Sequence, residues 1–188
     1  MKVNDKHFET IWLKKEDQST VQIIDQRFLP FDFVIEDINN TEEMFIAIRD
    51  MHLRGAPLIG AAGALGMYLS TKDLNAEINS SFFADKARYL ISARPTAVNL
   101  EYAVNRVYDA IRNSHTLDDA KRNSMNESFS IINEEREYCR QIGNFGVPLI
   151  EEIQKKKKGD TVNILTHCNA GWLACIDYGT PPLVLPTS

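Results

Sequence analysis

A chain of 188 residues that is 44% apolar and 25% charged has the make-up of a folded globular protein, which excludes disordered and collagen-like classes. Its formal charge of -5 at pH 7 argues against a nucleic-acid partner, because displacing counterions from phosphate needs a basic face. No apolar run approaches the ~20 residues of a membrane span, and no apolar stretch follows the charges of MKVNDKHFETIW, so the expectation is a cytoplasmic chain with no membrane partner.

Residues 1–40 alternate short apolar runs with turn residues, and TVQIIDQRFLPFDFVIEDINN, rich in β-branched and aromatic side chains around Pro30, suits two short strands. From Thr41 the period changes. Thr41, Glu42 and Glu43 make a helix start, and Met44, Ala47, Ile48 and Met51 recur at helical spacing up to a stop near Arg54-Gly55. Pro57 then opens PLIGAAGALGMYLST, in which Gly60, Gly63 and Gly66 lie three apart among Ala and Leu. Each glycine lowers helix propensity by roughly 1 kcal/mol against Ala, which predicts a buried helix with another backbone packed very close. Phe83, Ala87, Leu90 and Ile91 mark a further helix ended by Pro95, and Leu100, Ala103, Val104, Val107 and Ile111 an amphipathic one. Thr116 caps a long polar helix to about Gly143. A separate short helix begins near Pro148, and the four lysines of EEIQKKKKGD form its solvated end before Gly159. The β-branched run VNILT predicts a strand, with a tight turn in HCNAGWLAC after it, the order in which a parallel α/β domain begins.

Three segments combine residue types that are costly or oddly placed for a purely structural role. In Arg54-Gly55-Ala56-Pro57, free N–H groups at a helix start beside a guanidinium form a phosphate site, although a surface arginine in a turn satisfies the same pattern. In Arg94-Pro95-Thr96-Ala97-Val98-Asn99-Leu100, Pro95 closes one helix and Asn99 is placed to cap the next; the turn fixes Arg94 either for an anion or for the carbonyls of a helix end. In His167-Cys168-Asn169-Ala170-Gly171, a thiol sits at the carboxyl end of the expected strand, where it can act as acid, base or nucleophile or simply pack. His167 and Cys168, adjacent on extended backbone, point to opposite faces and make a poor catalytic pair. Cys139 and Cys175, with His7, His52 and His115, are assigned to structure, and Asp177 to a polar loop. The three cysteines have no metal-ligand spacing, and the odd count points to reduced thiols; no metal and no cofactor is expected.

Read together, IIDQRFLP, AIRDMHLRGAPLIGAAGALGMYL, SARPTAVNLEYAVNRVYDAI and ILTHCNAGWLAC followed by DYGT resemble the methylthioribose-1-phosphate isomerases of methionine salvage from about Val21 to Thr180. Ribose-1,5-bisphosphate isomerase and the regulatory subunits of the initiation-factor exchange complex are related, and the joint presence of RGAP, RPTAVNL and THCNAG favours the methylthioribose enzymes. The resemblance implies an α/β protein: a mostly helical N-terminal domain with a small sheet over residues 1–143, then the start of a Rossmann-like domain over 144–180. It implies Arg54, Gly55 and Ala56 beside the substrate phosphate, Arg94 in substrate binding and Cys168 as the catalytic cysteine. The partner implied is a sugar phosphate, and the reaction an aldose-to-ketose isomerisation whose ring-opened species must be stabilised because phosphate blocks the anomeric oxygen. A homodimer is implied, or a chain supplying the second half, since the family's aspartate falls beyond Ser188. Residues 181–188, PPLVLPTS, read as an unrelated Pro-rich tail, and residues 159–188 are expected to pack poorly without neighbouring strands. A non-catalytic ligand-sensing subunit is the alternative function.

Overall fold

The computed structural model describes residues 2–74, 80–167 and 170–179; Cys168, Asn169 and the segment 180–188 lie outside the described residues. Two short strands, β1 (Lys2–Val3) and β2 (Lys6–His7), form a hairpin whose turn residues Asn4 and Asp5 take positive φ. Such a turn matches strand twist, and Asn and Asp tolerate it best after glycine. A second, antiparallel sheet has the order β3 (Ile11–Leu13), β4 (Val21–Ile24), β5 (Ile35–Ile38), with Ile11 opposite Ile23 and Val21 opposite Ile38. β4 and β5 are the two strands expected around Pro30. β3 is an addition to that pair, since three residues are too few for an alternation to register in sequence.

Helix α1 (Thr41–Arg49) is capped by Asn40, whose side chain accepts from the Glu43 N–H while the Glu43 carboxylate accepts from the Asn39 N–H. The helix therefore starts at Thr41 as expected, with a variant of the capping box in which Glu43 reaches the N–H of the residue before the cap. The helix ends at Asp50 rather than near Arg54, and Met51 at φ +61° turns the chain away. Helix α2 (Ala56–Ser70) is the centre of the molecule, buried from Leu58 to Ser70. Around it pack α1, α3 (Ser80–Ser92), α4 (Val98–Arg112) and the first half of α5 (Leu117–Lys156). The close backbone approach that the glycines predict occurs at Gly60, which lies against the Asn99 backbone; Gly63 instead admits the side chains of Leu100 and Val104, and Gly66 those of Met44 and Leu90. From the far side Ser128 of α5 donates to the Ala64 carbonyl at 3.0 Å, a contact that requires the two helices to approach closely.

Two expectations fail. The break between Gly143 and Pro148 is absent, and α5 runs unbroken for 40 residues with Pro148 inside it, capped as expected by Thr116. The segment Val162–Leu165 is not a strand; it is largely exposed and has no ladder partner among the described residues. A parallel strand exists only through its neighbours, and its β-branched composition alone does not hold it extended. The expectation of poor packing holds for residues 160–167 but not for 171–179, which fold back onto the helical core.

Candidate functional site

Contacts from Gly60 to Asn99 and from Gly63 to Leu100 and Val104 advance in the same direction along α2 and α4, so the two helices start at the same end of the molecule. That end carries Arg54-Gly55-Ala56 ahead of α2 and Arg94 ahead of α4. Neither helix has a side-chain cap: Gly55 precedes α2 and Ala97 precedes α4. Asn99, expected to cap α4, lies inside its first turn instead, with its backbone against Gly60. The positive dipole ends of two helices without side-chain caps therefore lie on the same side of the molecule, although Pro57 leaves the first turn of α2 one N–H short. Arg54 is exposed and Arg94 half-buried, and neither guanidinium makes an ion pair with the described residues. Cationic charge held at uncapped helix starts is the physical requirement for binding a phosphate-sized anion.

The third segment joins them through its later residues. A single 3-10 turn, Trp172–Ala174, follows Gly171 at φ +106°, and its Ala174 backs onto Gly55. Gly55 stands at φ +111°, and a Cβ there would come within 2.4 Å of the Ala174 backbone. Glycine is thus required twice at one point, by conformation and by space. The strap 171–179 is fastened along its length. The Thr10 N–H donates to the Ile176 carbonyl at 2.9 Å and the Thr10 hydroxyl to the Cys175 carbonyl; Gln26 Nε2 donates to the Leu173 carbonyl at 2.7 Å, and His7 Nε2 meets Asp177 Oδ1 at 2.7 Å. Gly179 closes the strap on itself against the Gly171–Trp172 peptide. Cys175 and Cys139 of α5 are buried together with Ala174, and the neighbouring Cys175, then burial, push the Cys139 thiol up. Both cysteines are packing residues, in line with the structural role expected of them. Asp177 is likewise structural: burial pushes its carboxyl up, but the His7 bond together with neighbouring positive charge outweighs that and holds it below the ordinary value.

Beneath the Arg54 turn lies a polar cluster with no signature in the sequence. Asp25, 1% exposed, accepts from the Arg27 backbone and guanidinium, and His52 Nδ1, 5% exposed, meets Glu36 Oε2 at 2.8 Å. Burial raises the Asp25 carboxyl, yet the Arg27 bonds outweigh it and the net shift is downward. Asp25, Glu36 and His52 bring one ligand atom each within 4.8 Å of one another, but Arg27 already neutralises Asp25, and His52 and Glu36 satisfy each other. Their role in the fold is to seat the His52-Leu53-Arg54 turn on the β4–β5 sheet. Of the sequence-predicted site residues, Arg54, Gly55 and Ala56 lie at the start of α2 and Arg94 ahead of the neighbouring α4, the strap that follows Cys168 packs on Gly55, and Cys168 itself lies outside the described residues.

Residues 52–177, which run from the Arg54 turn into the strap, match the Initiation factor 2 subunit family. The chain belongs to that family. A methylthioribose-1-phosphate isomerase of Desulfatibacillum aliphaticivorans is 48% identical over 181 residues, covering 96% of this chain and 49% of the relative. Among solved structures, 5-methylthioribose 1-phosphate isomerase from Pyrococcus horikoshii matches with a TM-score of 0.80 and 35% identity, covering 95% of this chain and 48% of that one. Translation initiation factor eIF-2B subunit delta from A. fulgidus matches with a TM-score of 0.77 and 31% identity over 92% of this chain and 48% of that one. This family member therefore spans about half the length of the relatives it matches. The likeness to both solved structures fixes its fold as a mixed one, helices with small sheets. Among the described residues no helix is long and apolar enough to cross a membrane.

Proposed function

We propose that this chain is the phosphate-binding half of a methylthioribose-1-phosphate isomerase, and that Arg54, Gly55, Ala56 and Arg94 hold the substrate phosphate while Cys168 serves the acid/base chemistry. The observation that supports this most is that Arg54 and Arg94, neither ion-paired among the described residues, precede two uncapped neighbouring helices that start on the same side, with Ala174 of the strap packed on Gly55. The relatives named for this substrate reach 48% identity, and that supports the substrate class. An aldose-to-ketose step moves a proton between adjacent carbons of the ring-opened sugar. A thiol and a carboxylate can share that task, and a fixed phosphate clamp keeps the reacting carbons in register.

In this reading residues 144–180 begin a Rossmann-like domain, and the enzyme acts in the cytoplasm as a homodimer. The remaining half of the relatives' length supplies the other wall of the site. It docks on the exposed stripe Tyr138, Ile142, Phe145, Leu149 and Ile153, one face of α5 left without cover. A non-catalytic, ligand-sensing subunit is the second reading, supported by the likeness to the exchange-factor subunit. The two separate at Cys168. Fused to the second half of the Desulfatibacillum relative, the chain converts methylthioribose-1-phosphate to methylthioribulose-1-phosphate, and Cys168→Ala lowers the rate by roughly 10²–10⁴-fold. Full turnover in Cys168→Ala would overturn the catalytic assignment, and phosphate-ligand binding without turnover in the parent fusion would favour the sensing subunit.

A further inference from the structure

The buried polar side chain nearest to tying these segments together is Gln26, 6% exposed, in the turn two residues after β4. Its backbone N–H donates to the His52 carbonyl at 2.7 Å, two residues before Arg54. Its side-chain Nε2 donates to the Leu173 carbonyl at 2.7 Å, five residues after Cys168. One residue therefore holds the arginine turn with its backbone and the strap with its side chain. The two places it grips meet each other at the Gly55–Ala174 contact, where a gap of less than a methyl group separates them. The neighbouring Asp25 binds Arg27 and leaves the strap alone, so the salt bridge there does not duplicate this link.

The geometry points to Gln26 as a positioning residue of the proposed isomerase site: it sets the strap 171–179 at a fixed height over the Arg54 turn. This rests on the proposed phosphate site and adds the element that keeps its two halves in register. The bond is directional. A carboxylate in place of the amide offers only lone pairs to the Leu173 carbonyl, and a thioether offers no donor, while both keep the length of the side chain. Without the donor, the strap keeps its bonds to Thr10 and His7 but loses the one that the Leu173 carbonyl accepts, and its Trp172 end is held less firmly.

Cys175, 0% exposed, reports that loosening directly. The test is iodoacetamide labelling of the folded 188-residue chain, read site by site by mass spectrometry, for wild type, Gln26→Glu and Gln26→Met. Labelling of Cys175 is expected to accelerate roughly tenfold in both variants, the loss of one buried hydrogen bond, with the urea midpoint of the helical core unmoved. The Gln26→Glu excess over wild type at the same pH should shrink as pH falls toward the ordinary glutamate range near about 4.3, where the protonated acid donates again; Gln26→Met should show no such trend. Methylthioribose-1-phosphate should protect Cys168 in wild type and protect it less in both variants. Wild-type Cys175 labelling in both variants would overturn the positioning role, as would a fall in midpoint that accounts for all the labelling. Absence of Cys168 protection in wild type would count against the proposed phosphate site instead, leaving the ligand-free Cys175 result to decide the role of Gln26.

Discussion

Gly55 and Gly146 are both glycines beside helical backbone, yet their surroundings predict opposite outcomes for the same substitution. Gly55→Ala forces a Cβ onto the Ala174 backbone at a φ of +111°, and the expected loss is about 2–4 kcal/mol in urea denaturation. Gly146→Ala meets nothing within 4 Å inside α5 and is expected to stabilise by about 0.5–1 kcal/mol, since it removes only backbone freedom of the unfolded chain. Asp25 tests the electrostatics. Arg27 holds its carboxyl below the ordinary value against burial, so this carboxylate contributes stability above the unfolded value of about 3.9 and loses it as pH falls through the lower folded value. Arg27→Ala leaves the buried carboxylate without its cation and with the residue-27 N–H as its remaining donor there, an expected loss of about 1–3 kcal/mol at neutral pH. Unfolding measured from pH 7 downward should show that deficit closing as Asp25 protonates; a deficit constant with pH would mean that Arg27 acts through packing alone.

At the scale of elements, α5 makes the sharpest demand. Pro148 deprives its own turn of one backbone bond and crowds the carbonyl four residues earlier, so the helix beyond it should exchange amide hydrogens faster than Leu117–Cys139. Pro148→Ala should slow exchange over 149–156 by roughly tenfold or more, given that an interior proline costs about 3 kcal/mol. Equal exchange in the two forms would show that the second half of α5 is not an independently fraying unit. The same helix marks how far the sequence can be read. Glycine content in α2 announces a tight central helix because each missing side chain lets a neighbouring helix approach closely, and the apolar periods of α3 and α4 are unambiguous. Pro148 misleads because proline usually ends a helix, yet a helix already nucleated by Thr116 and packed through Ile132 carries past it. VNILT misleads for the opposite reason: strand composition is legible locally, whereas the partners that make a strand lie elsewhere. At the site, Arg54, Gly55 and Arg94 stand out by residue type and turn chemistry. Gln26, Thr10 and the Asp25–Arg27 pair do not, because a glutamine or threonine next to a strand carries no signal until the segment it grips is known.

On the scale of the whole molecule, the helices around α2 form a scaffold in which the Arg54 and Arg94 turns precede two helices that start on the same side and the 171–179 strap packs on Gly55, while one stripe of α5 is exposed. Family membership places this architecture among proteins about twice as long, so in the proposed enzyme phosphate recognition falls to this half and completion of the site to the other. The central claim is that the two arginines act together on one phosphate. Calorimetric titration of the 188-residue chain with methylthioribose-1-phosphate, beside Arg54→Ala, Arg94→Ala and the double variant, tests it most directly. The expected result is one site per chain, a loss of roughly tenfold or more in affinity for each single variant, as for charge-assisted bonds to phosphate, and abolition in the double variant. Unchanged affinity in the double variant, or no binding by the wild-type chain, would contradict it.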